Sequence, residues 1–520
     1  MQGGTIKSII IFILLAIFAF IAGSFVTDGL SEALIPTVMI VGAFGLIALG
    51  KNSWWLLVLF PPIFSVLPVY IVRAYPIAYG CAGLILLYWL YMSSGGITRF
   101  IWRSVRWLDI ATFLIFAYTL YTWVLNPVTF NFLVSYTDEG NIAYGADVYL
   151  WCVGALVFYI AVSVIPMDFK VVVKLLKWSF ILCFCVGCVV IIKQLIFPSE
   201  LQMSAIEEVD NIGKGARIRN PAFASTGMII LKFFIAKYSM IGVLVSPLKL
   251  AFALFGCVLF LFSGHRLYVI HSFCFILCIS VFYRQVIFIA FLTILAWGGL
   301  VMFSQLHVLE RLPYTFQRSI ASVPGVTVNE TAEFGADASL LFRYKLWENA
   351  FDNRKGVIKD YVWGDGYKMY MSKLKRTEYL ISMNKLKNPE IRVAENGNWH
   401  AGWLNVIYRV GIVGLVLVSF WFSIALVFVF RVCKIVQFLD GKEYIYMQLL
   451  SFPGIVLIFY WGDGTWGQLF GEVIYIVSIV KLAYVYARDE GMMKPMFQRK
   501  SYVPLMVEAN ESQSKLRVLQ

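Results

Sequence analysis

Few residues in this chain have the means to do chemistry on a polar substrate, and in chain order they are Arg217, Arg219, Arg266, Arg343 and His400. A neutral imidazole orients a hydroxyl or takes its proton. His400 stands where an apolar run begins, with Leu404, Gly411 and Gly414 following it. At a helix N-terminus the unpaired N–H groups and the positive end of the dipole disfavour the imidazolium. Gly411 and Gly414 would permit close helix contact. Each arginine offers a planar fork of donors that matches phosphate oxygens, and several forks on one face are the usual way to hold a diphosphate. Taken singly, an arginine at a membrane surface is more often a side chain reaching for headgroups, and a histidine at the water boundary is as often simply hydrogen-bonded there.

Arg343 belongs to a stretch of helical spacing that puts Trp347 and Ala350 or Phe351 on one face, with Arg343 one turn back. The turn signal Trp363-Gly364-Asp365-Gly366-Tyr367 follows it. On residue chemistry alone this is an amphipathic helix lying on the membrane or on the bundle. Asp28, Glu32, Glu207, Glu208 and Asp210 form a weaker set that could coordinate a divalent metal. Cys183, Cys185 and Cys188 have a metal-like spacing, but on an apolar helix they read as packing residues.

The elements that must position these groups are membrane helices. Of the 520 residues 60% are hydrophobic and 14% charged, and the mean hydropathy of +0.78 marks an integral membrane protein. Apolar runs of about 18 to 22 residues recur, each long enough to cross a hydrocarbon core of about 30 Å. The alternating segments of about ten residues that a transmembrane barrel needs are missing. The net charge of +13 comes mainly from short loops between runs, as the positive-inside rule produces, and does not signal nucleic acid.

These runs predict an all-α polytopic protein with about 14 transmembrane helices. Helices 1–11 fall within 1–303, with short loops and an external loop at 198–226. A large, partly helical external loop occupies 304–399, helices 12–14 occupy 400–487, and 488–520 is a cytoplasmic tail. The first run, 9–26, has no clear cleavage pattern and reads as a retained helix. Pro61-Pro62 should kink the third run. Alternation from the basic loops puts both termini in the cytoplasm and Arg217, Arg219, Arg266, Arg343 and His400 on the external side, with Arg266 at the end of a helix.

Four motifs in a fixed order carry a resemblance. They are Arg217-Ile-Arg219-Asn220-Pro221 with Phe223; Ser263 with Arg266; Arg343, Trp347 and Ala350 with Gly364 and Gly366; and His400, Leu404, Gly411 and Gly414. Together, over about 217–415, they resemble the O-antigen ligase and polymerase superfamily. The chain departs from that pattern at Ala401, where Asn or Ser often follows the histidine, and at Gly264-His265-Arg266, where the usual Ser-Arg pair is displaced.

The resemblance implies a GT-C-type glycosyltransferase in the bacterial inner membrane, active on the periplasmic face in surface polysaccharide assembly. Its donor would be an undecaprenyl-diphosphate-linked oligosaccharide and its acceptor lipid A core or a second glycan. It implies inversion without metal or other cofactor, Arg217 or Arg219 and Arg266 on the diphosphate, Arg343 as a diphosphate or acceptor contact in the catalytic group, and His400 at the acceptor hydroxyl. Ligase is slightly favoured over polymerase, because one large outer loop beside the histidine suits a bulky acceptor. The competing expectation is a non-enzymatic flippase or transporter of lipid-linked glycans. That would need a polar path through the membrane interior, where Lys193, Lys232 and Lys237 have no evident acidic partner.

Overall fold

The computed structural model describes residues 48–66, 74–94, 100–128, 142–144, 146–196, 221–263, 266–321, 323–351, 358–367, 369–371, 399, 401–462 and 469–492. In chain order the elements are α1 (Trp55–Val66), α2 (Ala74–Ser94), α3 (Arg106–Leu125), β1 (Ile142–Tyr144), α4 (Ala146–Val164), α5 (Phe169–Ile196), α6 (Pro221–Leu244) and α7 (Pro247–Phe262). They continue as α8 (Arg266–Phe282), α9 (Val286–Gln305), α10 (Tyr314–Ile320), α11 (Glu330–Phe351), β2 (Met369–Met371), α12 (Gly402–Val436), α13 (Lys442–Leu449), α14 (Phe452–Trp461) and α15 (Ile474–Asp489). The two strands form an antiparallel ribbon in the register Ile142 with Met371.

Among the described residues, 7 helical segments are long and apolar enough to cross a bilayer, the last of them in sequence being Leu469–Asp489, and four shorter apolar helices accompany them. The chain is a helical membrane protein. Runs expected before residue 48 lie outside the described residues, as does the tail from 493. Pro61 and Pro62 lie inside α1, which continues on both sides of them.

Short connections make successive helices antiparallel neighbours, and the contacts identify two ends. At one, Arg488 donates to the Ser104 carbonyl at 3.0 Å and Arg103 to that of Met167 at 3.2 Å. At the other, Ser319 donates to the Leu261 carbonyl at 3.2 Å and Asn126 to that of Gly364 at 3.4 Å. The basic connections thus gather at one end and the large polar insertion at the other.

The final helix is central: nearly all of α15 is buried, Phe470 just before it stacks on Phe116 at 5.7 Å, and Tyr475 donates to the Val58 carbonyl at 2.7 Å. Trp421 ties α12 to α3 by donating to Thr112 Oγ1 at 3.0 Å. Between α6 and α7 the backbones nearly touch, because a Cβ on Gly256 would stand 2.9 Å from the Gly227 carbonyl. Helix α9 is the opposite case, with almost no buried surface along its length.

A buried ion pair ties α3 to α15. Lys481 Nζ donates to Asp109 Oδ1 and to Ser163 Oγ, each at 2.6 Å. Tyr159 donates to the same carboxylate oxygen at 2.5 Å, and the Val105 amide donates to the other at 2.8 Å. Removing one partner of such a pair leaves a buried charge without compensation. Asp109→Asn is therefore expected to lower stability by about 3–5 kcal/mol, and adding Lys481→Met should recover most of the loss. Thermal melting of the solubilised variants checks this; equal melting of wild type and Asp109→Asn would contradict it.

Candidate functional site

The candidate site is built around an interruption in α12. The element runs on for 35 residues, but Gly411 within it has φ 71° and ψ −178°, so the helix is broken between Val410 and Ile412. In lipid a broken helix needs other partners for its freed backbone groups. The loop 358–367 supplies them. The amides of Ile412 and Val413 donate to the carbonyls of Tyr361 and Val362 at 2.8 and 3.3 Å, and the amides of Asp365 and Gly366 donate to those of Tyr408 and Arg409 at 2.8 and 2.9 Å. Tyr118 completes the set by donating to the Val410 carbonyl at 2.9 Å.

Only glycine allows this interlock. A Cβ on Gly411 would collide with the Val362 carbonyl, and one on Gly364, which has φ +81°, would collide with the backbone of Arg409, Val410 and Gly411. The two glycine motifs of the sequence are therefore two halves of one contact. The loop holds its shape through carboxylates: Asp365 accepts the amides of Lys359 and Asp360, and Asp360 those of Val362 and Trp363, all at 2.9 Å. Burial pushes the Asp365 carboxyl above its ordinary range, and the two amide donors oppose that shift. Arg409 is buried inside the junction, donating to the Gly366 carbonyl at 3.3 Å, with its guanidinium 4.7 Å from the Tyr408 ring centre.

More than two turns before the break the chain enters α12 through Trp399 and Ala401, both fully buried. Asn405 Oδ1 accepts the Trp399 amide at 2.8 Å, and the Ala401 carbonyl accepts the amides of Leu404 and Asn405 at 3.1 and 2.9 Å. Ala401 is the N-cap and has no side chain to cap with, so Asn405 reaching back to Trp399 organises the turn. Helix α11 packs on the same place: Trp347 Nε1 donates to the Trp399 carbonyl at 3.2 Å, and Trp403 lies 5.9 Å from both Trp347 and Phe351. Leu346, Ala350, Ile358, Trp399, Leu404 and Ile407 form the core beneath.

The expected amphipathic helix is α11, and its apolar face meets the start of α12. Arg343, one turn before Trp347, is half-buried and engaged with neighbouring groups. Arg266 does not end a helix as expected but begins one, because the chain turns at Ser263 and α8 starts at Arg266. Arg217, Arg219, His265 and His400 lie outside the described residues, and so do Asp28, Glu32, Glu207, Glu208 and Asp210. Sequence reasoning missed Asn405, Arg409 and the Tyr361-Val362 carbonyls. The signal for them was a glycine inside an apolar helix paired with a Gly-x-Gly turn.

Among the described residues no cluster of His, Cys, Asp or Glu is arranged to hold a metal. What the geometry provides is a fixed backbone on both sides of residue 400, walled by indoles, at the polar-loop end of a membrane bundle. No protein-family model matches the chain, and no curated protein matches it. Its class is that of a polytopic helical membrane protein with an interlocked loop and broken helix.

Gly411→Ala is expected to cost about 1–3 kcal/mol from backbone strain alone and to release the loop. Gly298→Ala, in open space on α9, should be silent. Melting combined with limited proteolysis at 358–367 checks both; a Gly411→Ala protein with wild-type melting and an uncut loop would refute the interlock.

Proposed function

We propose that the protein is a membrane glycosyltransferase that moves a glycan from an undecaprenyl-diphosphate carrier to an acceptor hydroxyl on the periplasmic face. The observation that carries this reading is the convergence of motif residues: Trp347, Gly364, Leu404 and Gly411 build one junction around the start of α12. His400 lies at that start in the sequence, and the described Trp399 and Ala401 flank it.

In this reading Arg217 or Arg219 and Arg266 neutralise the diphosphate. Charge builds on that group as the glycosidic bond breaks, so those contacts strengthen in the transition state. His400 orients the acceptor hydroxyl and takes its proton, and Arg343 contacts the diphosphate or the acceptor. The acceptor is lipid A core for a ligase or a second carrier-linked glycan for a polymerase, with the ligase favoured by the large loop. The site is assigned to the bacterial inner membrane.

The test is reconstitution of the purified protein with a polyprenyl-diphosphate glycan in EDTA, with candidate acceptors supplied one at a time. Wild type should glycosylate one acceptor class, and His400→Ala should lose about 10²–10⁴ in rate with unchanged melting. Transfer by His400→Ala at the wild-type rate would remove the histidine from the mechanism. A second reading, a flippase for the lipid-linked glycan, is favoured by one observation, a polar cluster in the bundle interior around Lys232. Carrier crossing liposomes without glycosylation of any acceptor would support that reading instead.

A further inference from the structure

Lys232 lies midway along α6, where a lysine is expensive unless it has work to do. It is 8% exposed. Its ammonium donates to Ser451 Oγ at 2.7 Å, stands 3.3 Å from His271 Nε2 and lies 5.5 Å from the Phe275 ring centre. The His271 ring also hydrogen-bonds the Ser451 backbone, so one ring nitrogen faces a carbonyl and Nε2 is left as the acceptor toward Lys232. Ser451 in turn donates to the Met447 carbonyl at 2.6 Å. Glu472, half-buried, is close enough for Coulombic interaction with both Lys232 and Tyr268.

Three features show that the surrounding backbone is shaped to this cluster. Pro453 splits one span into α13 and α14 at Ser451. Glu472 sits in a π-helical turn, 469–473, a form that recurs at functional sites. Gly454 clears the space for His271, since a Cβ there would collide with the imidazole. A merely cohesive core would be served as well or better by apolar side chains.

The cluster has what proton transfer needs. Lysine and imidazole are in hydrogen-bond contact, and the Glu472 carboxylate is within electrostatic reach of the lysine and of the Tyr268 phenol. Toward the basic end, α15 carries Ser478, a buried hydroxyl with no hydrogen-bond partner among the described residues, and then Lys481 with Asp109. Beyond these lies a cavity of about 290 Å³ lined by Arg103, Asp168, Lys170, Tyr486 and Asp489.

We infer that Lys232, His271 and Ser451, with Glu472 and Tyr268 beside them, form a proton-relay site within the membrane and that the protein carries protons across the bilayer through it. The step moves protons alone. The Lys232 ammonium gives a proton to His271 Nε2, the imidazolium releases one toward the Ser478 side, and the neutral amine left behind is reprotonated from Glu472, which takes its proton from water at the polar-loop end, so every group returns to its starting state. This inference does not depend on the glycosyltransferase reading.

The full-length protein, reconstituted in liposomes loaded with the pH-sensitive dye pyranine, is driven by a valinomycin–potassium potential. Wild type is expected to change the internal pH faster than protein-free vesicles, and Lys232→Met and Glu472→Gln should fall to the protein-free rate. Gly298→Ala should match wild type. Wild-type flux equal to that of empty vesicles would overturn the inference, as would wild-type flux from Lys232→Met. If Lys232→Met fails to fold, Glu472→Gln and His271→Gln carry the same two outcomes.

Discussion

Everything in this structure follows from one constraint: inside a bilayer a backbone N–H or C=O finds a partner in the protein or goes without. Unbroken helices solve the problem locally. Where a helix is interrupted, the chain must bring partners from elsewhere, and two places among the described residues show the same device. At Gly411 the loop 358–367 and Tyr118 satisfy the freed groups. At Ser239 in α6, with φ 64°, Gln285 accepts the Ile241 amide at 3.4 Å and donates to the serine hydroxyl at 3.1 Å. Each interruption ties a connection between spans to the middle or end of another span, which makes loop and bundle one mechanical unit.

The buried charges obey a second form of the same rule. Lys481 is held by a carboxylate, a hydroxyl and the faces of Trp102 and Tyr159. Arg409 is held by a carbonyl and two tyrosine rings. Aromatic faces and hydroxyls thus take over part of what water would do, which explains why a chain with 17% aromatic residues keeps cations inside its bundle.

Hydropathy made the class legible, because a run of about twenty apolar residues has few alternatives to a membrane helix. Expected segments such as 110–125 and 286–303 correspond to α3 and α9 within a few residues at their ends. The face of α11 carrying Trp347 and Ala350 was legible for the same reason, since helical spacing is local. The interlock was not, because nothing local says that Gly364 and Gly411 meet: they are separated by dozens of residues, and the partner groups are main-chain atoms common to all residues. No acidic partner for Lys232 is evident in the sequence, because His271 on α8, Ser451 before α14 and Glu472 are brought to it only by the fold. Arg266 begins α8 instead of ending α7 because the break between the two helices, after Phe262, is too short to interrupt an apolar window.

Among the described residues helix α9 buries little of its length, and only near its end, at Leu300 and Val301, does it pack on a protein core. Its 20 residues span about 30 Å, close to the thickness of a typical hydrocarbon core. It leads directly into the polar insertion and stays tied to it, because Trp297 donates to the Pro324 carbonyl and Ser304 to that of Thr327, both at 2.9 Å. The polar insertion therefore starts from a fixed point: Pro324 and Thr327 fold back onto the helix that delivers them and do not hang free from its end.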